Sequence, residues 1–152
     1  MDKKIKLGNM KVSDIRNLIV ADATTIKVDA SIDELLAKVI DDPRTRHVYV
    51  VDEEGRLVGS VRMNMIVQYL FPLSSVIDAT DDIKQKFLAF GTHNIASLMN
   101  TNPSYVVEDD TLSRMSQILI HEKINELPVV DDDKKVIGEV NVFEVIKAYL
   151  NS

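Results

Sequence analysis

The chain of 152 residues has no cysteine and no tryptophan, and it has only five glycines and four prolines. Without cysteine it can form no disulfide, no thiolate metal site and no cysteine nucleophile, and nothing marks an oxidising compartment. A cytoplasmic location is therefore expected. The low glycine and proline contents, beside 45% hydrophobic residues, indicate a folded globular protein rather than a disordered tail.

Long apolar runs are also missing. The apolar stretches are short and interrupted by charge, and the lysine-containing start is not followed by an apolar run of signal-peptide length. Neither a membrane span nor a signal peptide is predicted. Acidic residues outnumber basic ones by 24 to 18, and the resulting net charge of −6 works against attraction to phosphate backbones. Neither nucleic acid nor a membrane is an expected partner.

Motifs of common catalytic sites are absent from the sequence. It has no glycine-rich phosphate loop, no dinucleotide fingerprint and no Gly-x-Ser-x-Gly elbow, and the segment His121–Asn125 lacks the second histidine of a zinc-protease helix. The three histidines, His47, His93 and His121, fall on different predicted elements and are expected to pack or to face solvent. We therefore predict a protein that is not an enzyme, has no metal site and requires no cofactor.

One pattern occurs twice in the chain at a constant offset. Asp52 corresponds to Asp131 and Gly59 to Gly138, in both cases 79 positions further along, and apolar and turn residues fall in matching columns. A constant offset of this kind indicates a duplicated structural unit.

Each copy has the pattern of a strand, a helix, a hairpin and a closing helix. In the first copy Ser31 and Glu34 have the spacing of a capped helix start, and an apolar stripe that includes Ile40 follows. The apolar face of the last helix, predicted over 142–150, is expected to pack on another element. Since one copy of about 60 residues has little core of its own, the two are expected to pack into one α+β body. The other predicted elements are a strand at 26–28, a hairpin at 48–61, helices at 63–70 and 112–122, a strand at 104–107 and a hairpin at 127–140.

The connector between the copies, residues 72–94, is longer than a usual loop. Its segment Asp81–Phe90 has the pattern of a further helix that ends at Gly91. The helix is expected to contribute packing, and a lid or a dimer contact is the alternative.

The ordered set of these elements resembles a known family. The segments Leu127–Asp131 and Val136–Asn141 are similar to the hairpin of a CBS domain, and Ser97–Pro103 is similar to the lead-in that opens such a domain. Val12–Ile15 is a weaker counterpart of that lead-in for the first copy. The pair resembles a Bateman module, with one β-α-β-β-α repeat over 12–71, the helical connector over 72–94 and a second, pseudo-symmetric repeat over 95–150.

The resemblance implies a regulatory module. Members of the family bind adenosine-containing ligands such as AMP, ADP, ATP or S-adenosylmethionine in clefts between the two repeats, and often form homodimers. The expected function is to sense such a ligand and to transmit a conformational change to an effector protein that the sequence does not name. Two alternatives are a ligand-free dimerisation or docking module and a magnesium sensor that acts on a separate transporter.

In the family, an aspartate just after the second hairpin strand holds the ribose hydroxyls. The second repeat has Asn141 and Glu144 there, which keep hydrogen-bonding and carboxylate chemistry, and their spacing is also that of a capping box. The resemblance implies that the opposing repeat completes this cleft, with Arg46 or Lys27 either meeting phosphate or simply solvated. The full predicted ligand-binding set is Thr24, Thr25, Thr45, Arg46, Val140, Asn141 and Glu144.

The first repeat has Arg62 and Met65 at the equivalent positions. A thioether is a weak acceptor that cannot replace a carboxylate, so this second cleft is expected to be empty or to bind differently, with an apolar lining that suits an adenine ring. The predicted second-cleft residues are Ser104, Tyr105, Ile124, Asn125, Arg62 and Met65.

Overall fold

The computed structural model describes residues 7–19, 22–44, 46–70 and 83–152. The predicted strands and helices are present; the helix predicted over 81–90 is found as Ile83–Phe90, and residues 81 and 82 lie outside the described residues. In chain order the elements are α1 (Val12–Ile15), β1 (Thr25–Lys27), α2 (Ile32–Asp41), β2 (His47–Val51), β3 (Leu57–Arg62), α3 (Met63–Leu70), α4 (Ile83–Phe90), α5 (Ile95–Leu98), β4 (Val106–Val107), α6 (Leu112–Glu122), β5 (Glu126–Val130), β6 (Val136–Asn141) and α7 (Val142–Leu150).

The strands in the described part of the chain form two three-stranded sheets, in the orders β1-β2-β3 and β4-β5-β6. In each sheet the first pair is parallel, with Ile26 opposite Val50 in one and Val106 opposite Val129 in the other. A parallel pair needs a crossover connection, and α2 and α6 are those crossovers. The repetition seen in the sequence is therefore a repetition of topology.

The chain divides into two compact units that do not coincide with its two halves. The Met65 unit contains the described residues of 24–53 and 58–103. The Glu144 unit contains the described residues up to 23 together with 54–57 and 104–152. Each unit therefore takes its lead-in helix from outside its own repeat, α1 in the Glu144 unit and α5 in the Met65 unit.

Helix α1 joins the Glu144 unit through its backbone and two apolar side chains. The Val12 amide donates to the Asp110 carbonyl at 2.9 Å, and Val12 and Ile15 are fully buried. Just before the helix, Lys11 forms an exposed ion pair with Asp109. The hydrogen bond to Asp109 and the negative charge of that carboxylate raise the pKa of Lys11 above its ordinary value of 10.5.

The segment after α5 joins the edge of β3 in the Met65 unit. Ser60 and Asn100 exchange two backbone hydrogen bonds, of 3.1 and 2.8 Å. The neighbouring Gly59 permits this approach, because a Cβ there would lie 2.4 Å from Met99 Sδ and 3.0 Å from the Asn100 carbonyl. Glycine at this position is thus explained by the close approach of the Met99 side chain and the Asn100 backbone.

Each unit has its own apolar core. The five described methionines all contribute packing, three in the Met65 unit and two in the Glu144 unit. The core of the Met65 unit is Ile26, Ile32, Leu35, Val48, Val50, Val61, Ile66, Leu70, Phe90 and Ile95. The core of the Glu144 unit is Val12, Ile15, Val106, Leu112, Met115, Leu127, Val129, Val140 and Ala148.

Two predictions about helix faces are wrong. Ile40, expected in the apolar stripe of α2, is 76% exposed, because at about 100° per residue it lies about 80° around the helix from the buried Ile32. On α7 the buried face is carried by Glu144 and Ala148, whereas Leu150 of the expected apolar face is 71% exposed. No helix within the described residues is long and apolar enough to cross a membrane.

Candidate functional site

The junction of β6 and α7 is a closed hydrogen-bonded turn. Asn141 Oδ1 accepts the Glu144 amide at 3.0 Å, and Glu144 Oε1 accepts the Asn141 amide at 3.2 Å. The capping box expected from the spacing of these two residues is therefore confirmed. The Val142 amide donates to the Asn125 carbonyl at 2.9 Å, which fixes the start of the helix further.

The carboxylate of Glu144 lies inside the protein. The residue is 0% exposed, and its second oxygen, Oε2, accepts the backbone amide of Ile19 at 3.3 Å. A buried carboxylate is tolerated only when hydrogen-bond donors surround it, and the positive end of a helix dipole adds to the stabilisation of the charge. Glu144 is thus a buried acceptor group at the first turn of a helix.

The segment that supplies the Ile19 amide is Arg16–Ile19, which we call the lead-in strap. It follows α1 and turns at Asn17, whose φ of 76° lies in the left-handed region that asparagine tolerates better than most residues. Arg16 donates to Glu108 Oε1 at 3.0 Å and to the Ile137 carbonyl at 3.4 Å. Lys147 Nζ donates to the Leu18 carbonyl at 3.2 Å. Sequence reasoning missed this segment because its contact with Glu144 uses a backbone amide.

The equivalent turn of the Met65 unit repeats the backbone but not the chemistry. The Met63 amide donates to the Arg46 carbonyl at 3.0 Å, as Val142 does to Asn125. Met65 occupies the position of Glu144 and is a partly buried side chain packed against the apolar core of its unit. This turn therefore offers no carboxylate to a ligand.

The remaining residues of the predicted main cleft lie in the Met65 unit. The Thr24 carbonyl accepts the Tyr49 amide at 2.9 Å, and Thr25 pairs with Tyr49 in the sheet. Arg46 is exposed, and Thr45 lies outside the described residues. Val140, Asn141 and Glu144 belong to the Glu144 unit, so the assignment of the whole set to one site stays a prediction.

Lys27, considered as a phosphate contact, donates to backbone carbonyls of the first hairpin turn. Its Nζ lies 3.0 Å from the Glu53 carbonyl and 3.4 Å from the Asp52 carbonyl. The ammonium group thus stabilises a turn in this structure, although it remains exposed. This arrangement favours the solvated-surface alternative for Lys27.

The residues of the predicted second cleft also divide between the units. Ser104, Tyr105, Ile124 and Asn125 lie in the Glu144 unit, and Arg62 and Met65 in the Met65 unit. Tyr105 is 40% exposed, and Lys134 Nζ lies 5.4 Å from the centre of its ring, within cation–π range. This second set stays a prediction as well.

The histidines do not form a cluster. His47 is buried and stacks on Tyr49 with ring centres 6.0 Å apart, His93 contacts Tyr69, and His121 is exposed. Among the residues that the structure describes, no group of three or more histidine or acidic side chains is arranged to hold a metal ion.

Comparison with known proteins identifies this duplicated arrangement. The family model of the CBS domain matches residues 12–72 and again 95–151. The chain belongs to the CBS domain family. It is a tandem CBS pair with an α+β fold, as the resemblance in the sequence predicted.

Similar proteins include both small CBS proteins and longer chains. A CBS domain-containing protein of Thermotoga maritima matches with a TM-score of 0.73 and 28% identity, over 95% of this chain and 96% of that one. The chloroplastic CBS protein CBSX1 of Arabidopsis thaliana is 28% identical, over 85% of this chain and 60% of its own length. A homoserine O-acetyltransferase of Methanohalobium evestigatum is 29% identical over 88% of this chain. The chain spans only 23% of that enzyme.

Solved CBS pairs with the same fold contain adenosine compounds. CBSX2 in complex with AMP has a TM-score of 0.70 and 24% identity, over 93% of this chain and 97% of that one. The pair of protein MJ0100, in complex with 5′-methylthioadenosine and S-adenosylmethionine, has a TM-score of 0.67 and 24% identity, over 92% and 99% of the two chains. At this level of identity the likeness establishes the fold.

Proposed function

We propose that this CBS pair is a non-catalytic regulatory module that binds an adenosine-containing ligand, with the Glu144 carboxylate on the ribose hydroxyls. CBS pairs are in general regulatory rather than catalytic, and the pairs of CBSX2 and MJ0100 bind AMP, 5′-methylthioadenosine and S-adenosylmethionine. In this proposal Thr24, Thr25, Thr45 and Arg46 complete the site. We also propose that the protein is cytoplasmic.

The observation that carries the proposal is the placement of Glu144. Its carboxylate sits at the β6–α7 turn, at the positive end of a helix dipole, and is fully buried. A carboxylate that accepts two neighbouring hydroxyls gains about 1.5–3 kcal/mol per charged hydrogen bond. A buried acceptor of this kind suits a diol, and the thioether of Met65 does not.

Regulation requires that the ligand distinguish between two states of the protein. The ligand can shift the equilibrium between these states only by its difference in affinity for them. An effector protein that contacts one state preferentially would then respond to the ligand concentration.

Isothermal titration of nucleotide-stripped protein with AMP, ATP and S-adenosylmethionine tests the proposal. We expect Glu144→Ala to weaken binding at least about tenfold, the effect of losing one charged hydrogen bond, and Met65→Ala to leave it nearly unchanged. Glu144→Gln, which keeps an acceptor for the cap, separates loss of charge from loss of fold. Absence of heat with all three ligands, or equal effects of the Glu144 and Met65 substitutions, would contradict the proposal.

We further propose that the module forms a homodimer through its closing helices. Four large apolar side chains lie within one face of α7, and their exposed fractions range from 48% for Tyr149 to 71% for Leu150, with Ile146 and Phe143 between. Val67, at the position in α3 equivalent to Ile146, is 53% exposed as well. Like faces on both repeats suit self-association of two copies. Sedimentation velocity on the wild type and on Ile146→Asp tests this, and a wild type that sediments as a monomer would refute it.

A second candidate function is a docking module without a ligand. Both oxygens of Glu144 already accept hydrogen bonds from the protein, and Met65 in the other repeat is only a weak acceptor. Both facts are compatible with a purely structural turn. In that case Glu144→Gln would lower the free energy of unfolding. Neither the wild type nor the variant would bind a nucleotide.

A further inference from the structure

Access to Glu144 is the point at which the structure and the proposed ligand contact conflict. The side chain is 0% exposed, one oxygen accepts the Asn141 amide and the other accepts the Ile19 amide. A ribose hydroxyl needs an acceptor that it can reach. If Glu144 is to receive a ligand, one of its present donors has to leave.

Of the donors to Glu144, the amides of Asn141 and Ile19 differ in how easily they can leave. The Asn141 amide belongs to the capping box that starts α7, and Asn141 is itself only 5% exposed. Its departure would unwind the first turn of a packed helix. The Ile19 amide comes from a segment outside any helix or strand, its side chain is 51% exposed, and its bond of 3.3 Å is long. Ile19 is therefore the donor that can be exchanged.

We infer that the lead-in strap, Arg16–Ile19, occupies the Glu144 carboxylate in the ligand-free protein and that a ribose-bearing ligand binds by displacing the Ile19 amide. This inference rests on the proposed function. It adds an autoinhibitory contact made by the segment between α1 and β1.

Polar anchors attach the strap to the Glu144 unit. Arg16 reaches Glu108 and the Ile137 carbonyl, and Lys147, one turn beyond Glu144 on α7, reaches the Leu18 carbonyl. Leu18 also packs against the core of the unit, whereas Ile19 is half-exposed. The amide of Ile19 can thus leave the carboxylate while Leu18 keeps its apolar contacts.

The exchange keeps the buried charge satisfied. When the Ile19 amide moves away, hydroxyl donors of the ligand replace it at Oε2, and the released amide meets water. One charged hydrogen bond is made for each one broken, so the balance between the two states is small and can be shifted by weak forces. In the closed state the Ile19 amide is bonded to Glu144, and in the open state it is not. Since the ligand binds only the open state, the apparent affinity is the intrinsic affinity multiplied by the fraction of the protein that is open.

The described part of the Met65 unit has no such device. The equivalent side chain is a thioether, and the segment after its lead-in helix pairs instead with β3 through Ser60 and Asn100. The strap is therefore a feature of one unit.

The test is to weaken the anchors while leaving Glu144 and Asn141 intact. We expect Arg16→Gln combined with Lys147→Gln to tighten the binding of AMP, ATP or S-adenosylmethionine, whichever binds the wild type, by about threefold to tenfold, because the three polar contacts that are lost are exposed or partly buried and each contributes little. The matched control is Arg114→Gln, which removes an exposed ion pair with Asp110 in the same unit. Isothermal titration gives the affinities, and circular dichroism monitors the fold.

Hydrogen exchange of the Ile19 amide, followed by NMR in the wild type, gives a second measurement that does not depend on any variant. Saturating ligand is expected to accelerate this exchange, because the amide is released. One outcome would overturn the inference about the strap and leave the proposed function intact. In that outcome the ligand binds the wild type, the exchange rate of the Ile19 amide does not change, and the double variant binds no more tightly. Absence of binding to every variant would overturn both, and the wild-type titration alone identifies that failure as one of the proposed function.

Discussion

The turn at Asn141–Glu144 and the turn at Arg62–Met65 occupy equivalent places in the two repeats, yet only one carries a carboxylate. Both are positioned by the same type of backbone bond, from Val142 to Asn125 and from Met63 to Arg46. One then presents a buried carboxylate and the other a thioether against an apolar core. The comparison shows that the fold conserves the position of a side chain, while function depends on what the side chain is.

The largest expected effects come from equivalent core positions. Leu35 on α2 and Met115 on α6 are both fully buried, each in the core of its own unit. Replacement of either by alanine is expected to lower the free energy of unfolding by about 2–5 kcal/mol, because it leaves a cavity. Urea denaturation followed by circular dichroism measures the effect. A loss below about 1 kcal/mol for one variant alone would show that the units are not equivalently packed.

Substitutions of the helix caps are expected to change the free energy of unfolding by an intermediate amount. Asn141 accepts the Glu144 amide in a buried turn, whereas Ser31 accepts the Glu34 amide at 3.1 Å in an exposed one. We expect Asn141→Ala to cost about 1–2 kcal/mol and Ser31→Ala about 0.5–1 kcal/mol, since only the first leaves buried groups unpaired. Thermal and urea unfolding provide both values. Equal costs would mean that burial of the Asn141 turn contributes nothing.

The smallest effect is expected at Lys11, next to α1. Its raised pKa means that the pair with Asp109 stabilises the fold below the ordinary lysine value of 10.5 and that this contribution disappears as pH rises through the raised value. Because both side chains are exposed, Asp109→Asn should lower the thermal midpoint only slightly at neutral pH. The difference between wild type and variant should shrink as the pH is raised beyond 10.5. A difference that grows with pH would contradict the assigned ion pair.

Much of the fold follows from the sequence because it rests on local signals. The offset between Asp52 and Asp131 predicted the repeated topology, and the spacing of Asn141 and Glu144 predicted the capping box. The buried face of α7 was predicted wrongly, because a helix usually packs its apolar side against the core. In this helix the buried side is the one that contains Glu144. The Ile19 contact spans 125 positions and uses a backbone amide, so no side-chain pattern records it.

The exchange of lead-in helices has a consequence for synthesis on the ribosome. The Met65 unit is complete once residue 103 has emerged, whereas the bonds of Arg16 to Glu108 and of Ile19 to Glu144 join residues 92 and 125 positions apart. Residues 7–19 therefore remain without these partners, and Val12 and Ile15 stay unburied, until the rest of the Glu144 unit has been synthesised. Since long-range contacts form late, the nascent protein passes through a stage in which one unit is folded and the apolar start of the other is a target for chaperones.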